Sequence, residues 1–164
     1  MKMTKNAPVV PLEPRTRSDQ LIEADLSDML SELRILLPGA QMLTAFLIIL
    51  PFNGSFAGTL QSEKILFLAT FVLSLTSLVL LTAPAIQHRL MRPLNDRGRF
   101  KRVATRQIVA GSFTLALAFT LGTNMVISTV AGPTVGAIGA ALTAFVIVLV
   151  WWALPMYLKR NHNI

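Results

Sequence analysis

Four stretches of this 164-residue chain contain no Asp, Glu, Lys, Arg or His: about residues 36–52, 65–86, 108–130 and 135–158. A helix needs about 20 predominantly apolar residues to cross the roughly 30 Å of hydrocarbon in a bilayer. The last three stretches meet that length. The first has 17 residues, and Arg34 extends it if its aliphatic stem lies on apolar surface with the guanidinium in water. A buried helix of a water-soluble protein rarely stays charge-free this long, and here the pattern occurs four times. Within hydrocarbon each backbone N–H and C=O needs a partner in its own segment, which a helix supplies. The expected fold is therefore all-α, a polytopic membrane four-helix bundle over residues 36–160.

Ahead of it, residues 1–17 read as a disordered tail with three prolines. Residues 18–35 read as an acidic amphipathic helix lying in the cytoplasm or at the interface. Ser18 suits the N-cap, and Asp19 and Glu23 suit the positive end of the helix dipole. Leu21, Ile22, Leu26, Met29, Leu30 and Leu33 recur at helical spacing, opposite Asp19, Glu23, Asp25, Asp28 and Glu32. Pro38-Gly39 offers a break at which this helix turns into the membrane plane. Pro51, Pro84 and Pro155 lie near span ends, where a bend or stop costs little.

Composition narrows the function. Only 14% of residues are charged, against about 25% in a typical soluble domain. Cysteine is absent, which excludes disulfides and thiolate metal sites. The net charge of +7 is unevenly distributed. On alternate sides of four spans, fourteen of the fifteen Lys and Arg fall on one side and Lys64 stands alone on the other. The positive-inside rule then places both termini and the central basic loop in the cytoplasm. Trp151, Trp152 and Tyr157, near the end of span four, fit the aromatic belt at that interface.

The loop supplies Arg89, Arg92, Arg97, Arg99, Lys101, Arg102 and Arg106. These anchor topology against anionic headgroups, each near-surface charge contributing about 1 kcal/mol. A nucleic-acid grip would need stacking aromatics or a recognised motif, and Phe100 is alone there. Asn95-Asp96-Arg97-Gly98 reads as a turn between two helical extensions. Six of the eight acids precede span one. The expectation is that residues 18–34 dock on residues 89–106 through weak ion pairs plus burial of the leucine face.

Inside the spans, small and hydroxyl-bearing residues recur. Ser112, Ala116, Thr120, Asn124 and Ser128 repeat every four residues; Thr70, Ser74 and Ser77 share a face; Gly132, Gly136 and Ala140 keep small-xxx-small spacing. Such positions let helices approach closely and hydrogen-bond across the contact. The expected bundle has span three at its centre, and Gln41 is expected to bond to a neighbouring span. A polar pathway along Thr120 and Asn124 is the alternative to packing. No paired carboxylates, metal-ligand spacing or phosphate-cradling glycine loop occurs. No catalytic, metal or cofactor site is therefore expected.

The stretch LSELRILLPGAQMLTAFLIILPF (residues 30–52), the run APAIQHRL (83–90) and Ala104-Thr105-Arg106 together resemble a family of small, four-span bacterial inner-membrane proteins carrying a domain of unknown function. The resemblance covers roughly residues 23–160. Its most specific pieces are Glu32-Leu33-Arg34, the Gln41…Phe46…Pro51-Phe52 spacing, Ala83-Pro84 and His88-Arg89-Leu90. This chain departs from the pattern at Leu37-Pro38-Gly39, where Gln-Thr-Gly is expected. The resemblance implies an inner (plasma) membrane location and brings no catalytic residues. Family members are at times described as sodium:proton antiporters.

Two functions follow as expectations. The first is a non-enzymatic membrane protein that packs with itself or with a membrane partner. The second is a cation/proton antiporter or other small transporter subunit. Proton-coupled transporters place ionisable groups within the membrane, and these four spans have none, so the first is preferred.

Overall fold

In a computed structural model of the chain, residues 17–52, 58, 60–91 and 97–161 are described, and among them no strand occurs. The helices are α1 (Arg17–Ile49), α2 (Gln61–Leu90), α3 (Arg97–Ala131), α4 (Pro133–Val148) and α5 (Leu154–Asn161). A 3-10 turn, Leu50–Phe52, follows α1, and a π-helical turn, Leu149–Ala153, joins α4 to α5. The four segments Ser27–Phe52, Gln61–Leu90, Gly98–Ala131 and Pro133–Asn161 are each long and apolar enough to cross a membrane. The architecture is an all-α four-helix bundle, as the charge-free stretches imply.

The helices outrun those stretches. At 1.5 Å per residue, the 35 residues of α3 span about 52 Å, well beyond the roughly 30 Å of a hydrocarbon core. The excess lies at the basic end. α2 continues to Leu90 and α3 begins at Arg97, so the basic loop is largely two helical extensions. Its predicted turn lies partly outside the described residues, and Arg97 and Gly98 already belong to α3.

Connections alternate in direction. Ser77 of α2 meets Gly111 of α3, while Thr70 meets Gly122, so these helices are antiparallel. α3 and α4 are antiparallel too, joined only by Gly132. That glycine has φ +89°, a conformation open to glycine at no steric cost. Pro133 follows at the first helical position, where its missing N–H costs nothing. α3 contacts all three other long helices, whereas the backbones of α1 and α4 stay apart. Span three is central, and the bundle is open along one seam.

The inner faces follow alternating three- and four-residue steps. α1 contributes Leu33, Ala40, Thr44 and Leu47; α2 contributes Phe67, Thr70, Ser74, Ser77, Leu81 and Pro84; α3 contributes Phe100, Ala104, Gly111, Leu115, Ala118 and Gly122. This is the spacing of left-handed packing at shallow crossing angles. Leu33, Ala40, Leu81 and Leu115 form the central cluster. Large apolar side chains such as Phe46, Leu142 and Phe145 are more than half exposed, and no residue of the most apolar window of span four is buried.

Two prolines expected to bend or stop a helix behave differently from each other. α1 runs unbroken through Pro38, so the predicted Pro38-Gly39 break does not form. Leu33 and Ala40, one on each side of it, are both buried in the central cluster and hold the two halves on one axis. The helix begins at Arg17, one residue before the predicted cap at Ser18; the rest of the predicted tail lies outside the described residues. Its apolar stripe is half-buried or buried at Met29, Leu30 and Leu33, whereas Leu21 is exposed. Pro155, by contrast, does perturb its helix. It cannot donate to Trp151, and its ring would strike that carbonyl. The chain widens into the π turn just before it, with the Leu154 N–H donating to the Leu149 carbonyl, five residues back.

Candidate functional site

The interior holds a short polar seam. Thr44 donates its hydroxyl proton to the Ala40 carbonyl at 2.8 Å, and its Oγ1 lies 2.6 Å from Ser74 Oγ. Thr44 has a single proton to give, so Ser74 is the donor across the α1–α2 contact. Ser77 donates to the Gly111 carbonyl of α3 at 2.9 Å, and Thr70 donates to Leu66 of its own helix at 2.8 Å. Ser74 and Ser77 therefore tie α2 to both neighbours. Ser74→Ala is expected to lower stability by about 0.6 kcal/mol and at most about 1.7, the range for such bonds between membrane helices. Thr44→Val should add little on top of it, because both substitutions remove one bond. Mixed-micelle SDS titration followed by far-UV circular dichroism measures both.

Ser112, Thr120 and Asn124 are half-buried, on the side of α3 that turns from α2 towards α4. Thr120 donates back to the Ala116 carbonyl at 2.9 Å. Gly136 is buried against Ser128, a Cβ there lying 2.9 Å from Ser128 Cα and N; Ala140 is half-buried one turn on. Gln41 is not where the sequence reading put it. It projects outward beside buried Ala40 and makes no interhelical hydrogen bond among the described residues. The inner face of α1 runs through Ala40 and Thr44, and Gln41 sits about 100° round from the first. Gln107, which carried no expectation, lies between Ala104 and Gly111 on the inner face of α3 and keeps its Oε1 buried and unpartnered. One amide in an otherwise small and apolar register is the signal that would have found it.

At the basic end the acidic part of α1 meets α3. Met29 packs on Phe100 and Ala104, and the His88 ring of α2 lies 5.8 Å from that of Phe100. Beside this contact a cleft of about 200 Å³ opens between Asp28 and Glu32 of α1 and Lys101 and Thr105 of α3. The apolar part of the expected docking is thus present at Met29, while Leu33 packs instead with Leu81 and Leu115. Arg89, Arg99, Lys101, Arg102 and Arg106 are all exposed. Arg92 lies outside the described residues, and Arg97 opens α3.

Ile108 and Val109, which line the cleft, also line a groove of about 310 Å³ in the open seam. Leu36 forms one wall of this groove, and Trp151 and Trp152 form the other. Trp152 sits edge-on to Phe113 with centroids 6.2 Å apart, and Trp151 packs on the central cluster. The two tryptophans are half-buried against the bundle, turned further inward than an interfacial belt requires; Tyr157 is exposed. Among the described residues no group of three or more His, Asp or Glu is placed to hold a metal ion.

An apolar outer surface, a hydroxyl-tied interior and one cationic end define an α-helical chain with four segments fit to span a membrane. The profile of a family described as "Family of unknown function (DUF6328)" matches residues 16–155, and the chain belongs to that family. The resemblance carried by residues 30–52 and 83–90 is borne out to that extent. No curated protein and no solved structure matches the chain.

Proposed function

We propose that this is a multi-pass protein of a bacterial inner membrane, with both termini and the basic turn in the cytoplasm, and that it acts without catalysis as an interaction module. One observation carries the reading. Among the described residues the fully buried polar residues are Thr44, Thr70, Ser74 and Ser77, each spent on a hydrogen bond within or between helices, and half-buried Gln107, a non-titrating amide, is the exception in keeping an unpartnered Oε1. Groups committed to packing leave little to exchange a proton or bind a substrate. The surface of α4 supports the interaction half of the proposal. Its buried contact with α3 runs through Gly136, and Ile138, Leu142, Phe145 and Val146 are exposed. An apolar face of that kind packs against lipid, a second copy or a membrane partner. The basic extensions of α2 and α3 would lie among anionic headgroups and fix orientation.

Cation/proton antiport is tested directly against this. Purified protein in liposomes loaded with a pH-sensitive dye is expected to give no sodium- or potassium-dependent proton flux above protein-free liposomes. Reproducible flux that Asn124→Ala abolishes would overturn the proposal, because Asn124 is a half-buried polar residue of α3 on the predicted pathway.

A further inference from the structure

The cleft and the groove share Ile108 and Val109, so they adjoin along α3 as one channel-like depression, charged at its mouth and apolar below. From Lys101 to Ser112 it runs eleven residue steps along α3, about 16 Å at the helical rise. One leaflet of a roughly 30 Å core is about 15 Å deep. The apolar part, Ile108 to Ser112, takes about 6 Å of this, room for the upper stretch of one acyl chain below a headgroup held at the mouth.

The mouth selects the headgroup. Asp28 and Glu32 bring two carboxylates and Lys101 one ammonium, a net negative site in an otherwise cationic end. Thr105 donates its proton to the Lys101 carbonyl at 2.9 Å, which leaves its oxygen as an acceptor. The mouth thus offers three acceptors to a group that brings three N–H donors, and a primary ammonium is that group. Lys101 adds a positive charge beside them for a phosphate. An anionic headgroup without an amine would be repelled by the carboxylates, and a choline has no N–H to donate.

We propose that this channel is a binding site for one phospholipid whose headgroup carries a phosphate and a primary ammonium. The ammonium sits among Asp28, Glu32 and Thr105, the phosphate lies at Lys101, and an acyl chain lies along Leu36 and the Trp151–Trp152 wall.

The chain has two tryptophans, and both line the groove, so intrinsic fluorescence reads its occupancy. The full-length protein would be reconstituted in phosphatidylcholine vesicles with increasing fractions of brominated phosphatidylethanolamine, phosphatidylcholine or phosphatidylglycerol. Brominated phosphatidylethanolamine is expected to half-quench at about fivefold lower mole fraction than either of the others, one near-surface charge contact's worth of preference. Asp28→Asn with Glu32→Gln should bring the three curves together while helicity is unchanged. A second measurement needs no variant: mono- and dimethylation of the ethanolamine should erode the preference stepwise as donors are lost. Coincident curves for the unaltered protein, stronger quenching by phosphatidylglycerol, or a preference indifferent to methylation would each overturn the proposal.

Discussion

Gly136→Ala is expected to destabilise the folded chain by about 1–3 kcal/mol, the usual cost of overpacking a tight contact, and Gly136→Leu to separate α4 from α3. A Cβ at this position would lie 2.7 Å from Ser128 Cβ and 2.9 Å from Ser128 Cα and N. Two of those three atoms are backbone, and a helix backbone cannot rotate aside as a side chain can. The connection gives no slack either, since Gly132 alone joins the two helices. Relief must come from moving α4 bodily, which also draws Trp152 from Phe113 at the far end of the same contact. The expected readouts are a lower SDS midpoint and a shift in tryptophan emission. Ser128→Gly should rescue little, because the Cα and N contacts remain. Gly139→Ala is the control. The nearest atom there is the Cδ1 tip of Ile127, which can turn away, so the loss should be distinctly smaller. Equal losses at the two glycines would refute the backbone account.

The same contrast explains what could be read from the sequence. The number of spans was legible because it depends only on local composition: a run without charge is visible residue by residue. Gly136 and the Thr70–Ser74–Ser77 face were legible because small and hydroxyl-bearing residues stand out against leucine. Which side of an apolar helix faces inward was much less so. A helix that is apolar all round has no hydropathy contrast to orient it. The chemistry of Gln41 therefore points to the interior, whereas the register of Leu33, Ala40 and Thr44 turns it outward. On α3 the four-residue repeat from Ser112 was visible, but the face buried against α2 is the mixed three-and-four register through Gly111, Leu115 and Ala118. Pro38 and Pro155 carry the same local signal and have opposite outcomes. Buried contacts bracket the first, while the second has exposed Ala153, Leu154 and Met156 on either side and follows a π turn. Tertiary contacts of that kind lie beyond any local window. The cleft and the groove beside it are legible only in three dimensions, since their walls come from residues near 28–36, 101–112 and 151–152.

The α2–α3 contact gives the second large effect. Leu81 is fully buried in the central cluster, and Leu81→Ala is expected to cost about 2–5 kcal/mol through lost packing and the cavity left behind. Across from it, a Cβ on Gly111 would lie 3.0 Å from Leu81 Cγ and Cδ2 and 3.2 Å from Leu80 Cβ. Gly111→Ala alone is therefore expected to cost about 1–3 kcal/mol, because a fully buried leucine has no empty space to move into. It would also shift the carbonyl that Ser77 holds at 2.9 Å. Together the two substitutions should cost less than their sum. Removing the Leu81 side chain deletes two of the three obstructing atoms, and the new methyl group occupies part of the cavity. A coupling of about 1 kcal/mol or more in the compensating direction is expected, within the 0.5–3 kcal/mol range of residues in contact. It would be measured by SDS titration of the four proteins of the cycle. Additivity within about 0.5 kcal/mol would mean that Gly111 is not held against Leu81. Gly136 and Gly111 are thus separable: both permit close approach, but only the second faces a side chain whose removal makes room for a methyl group.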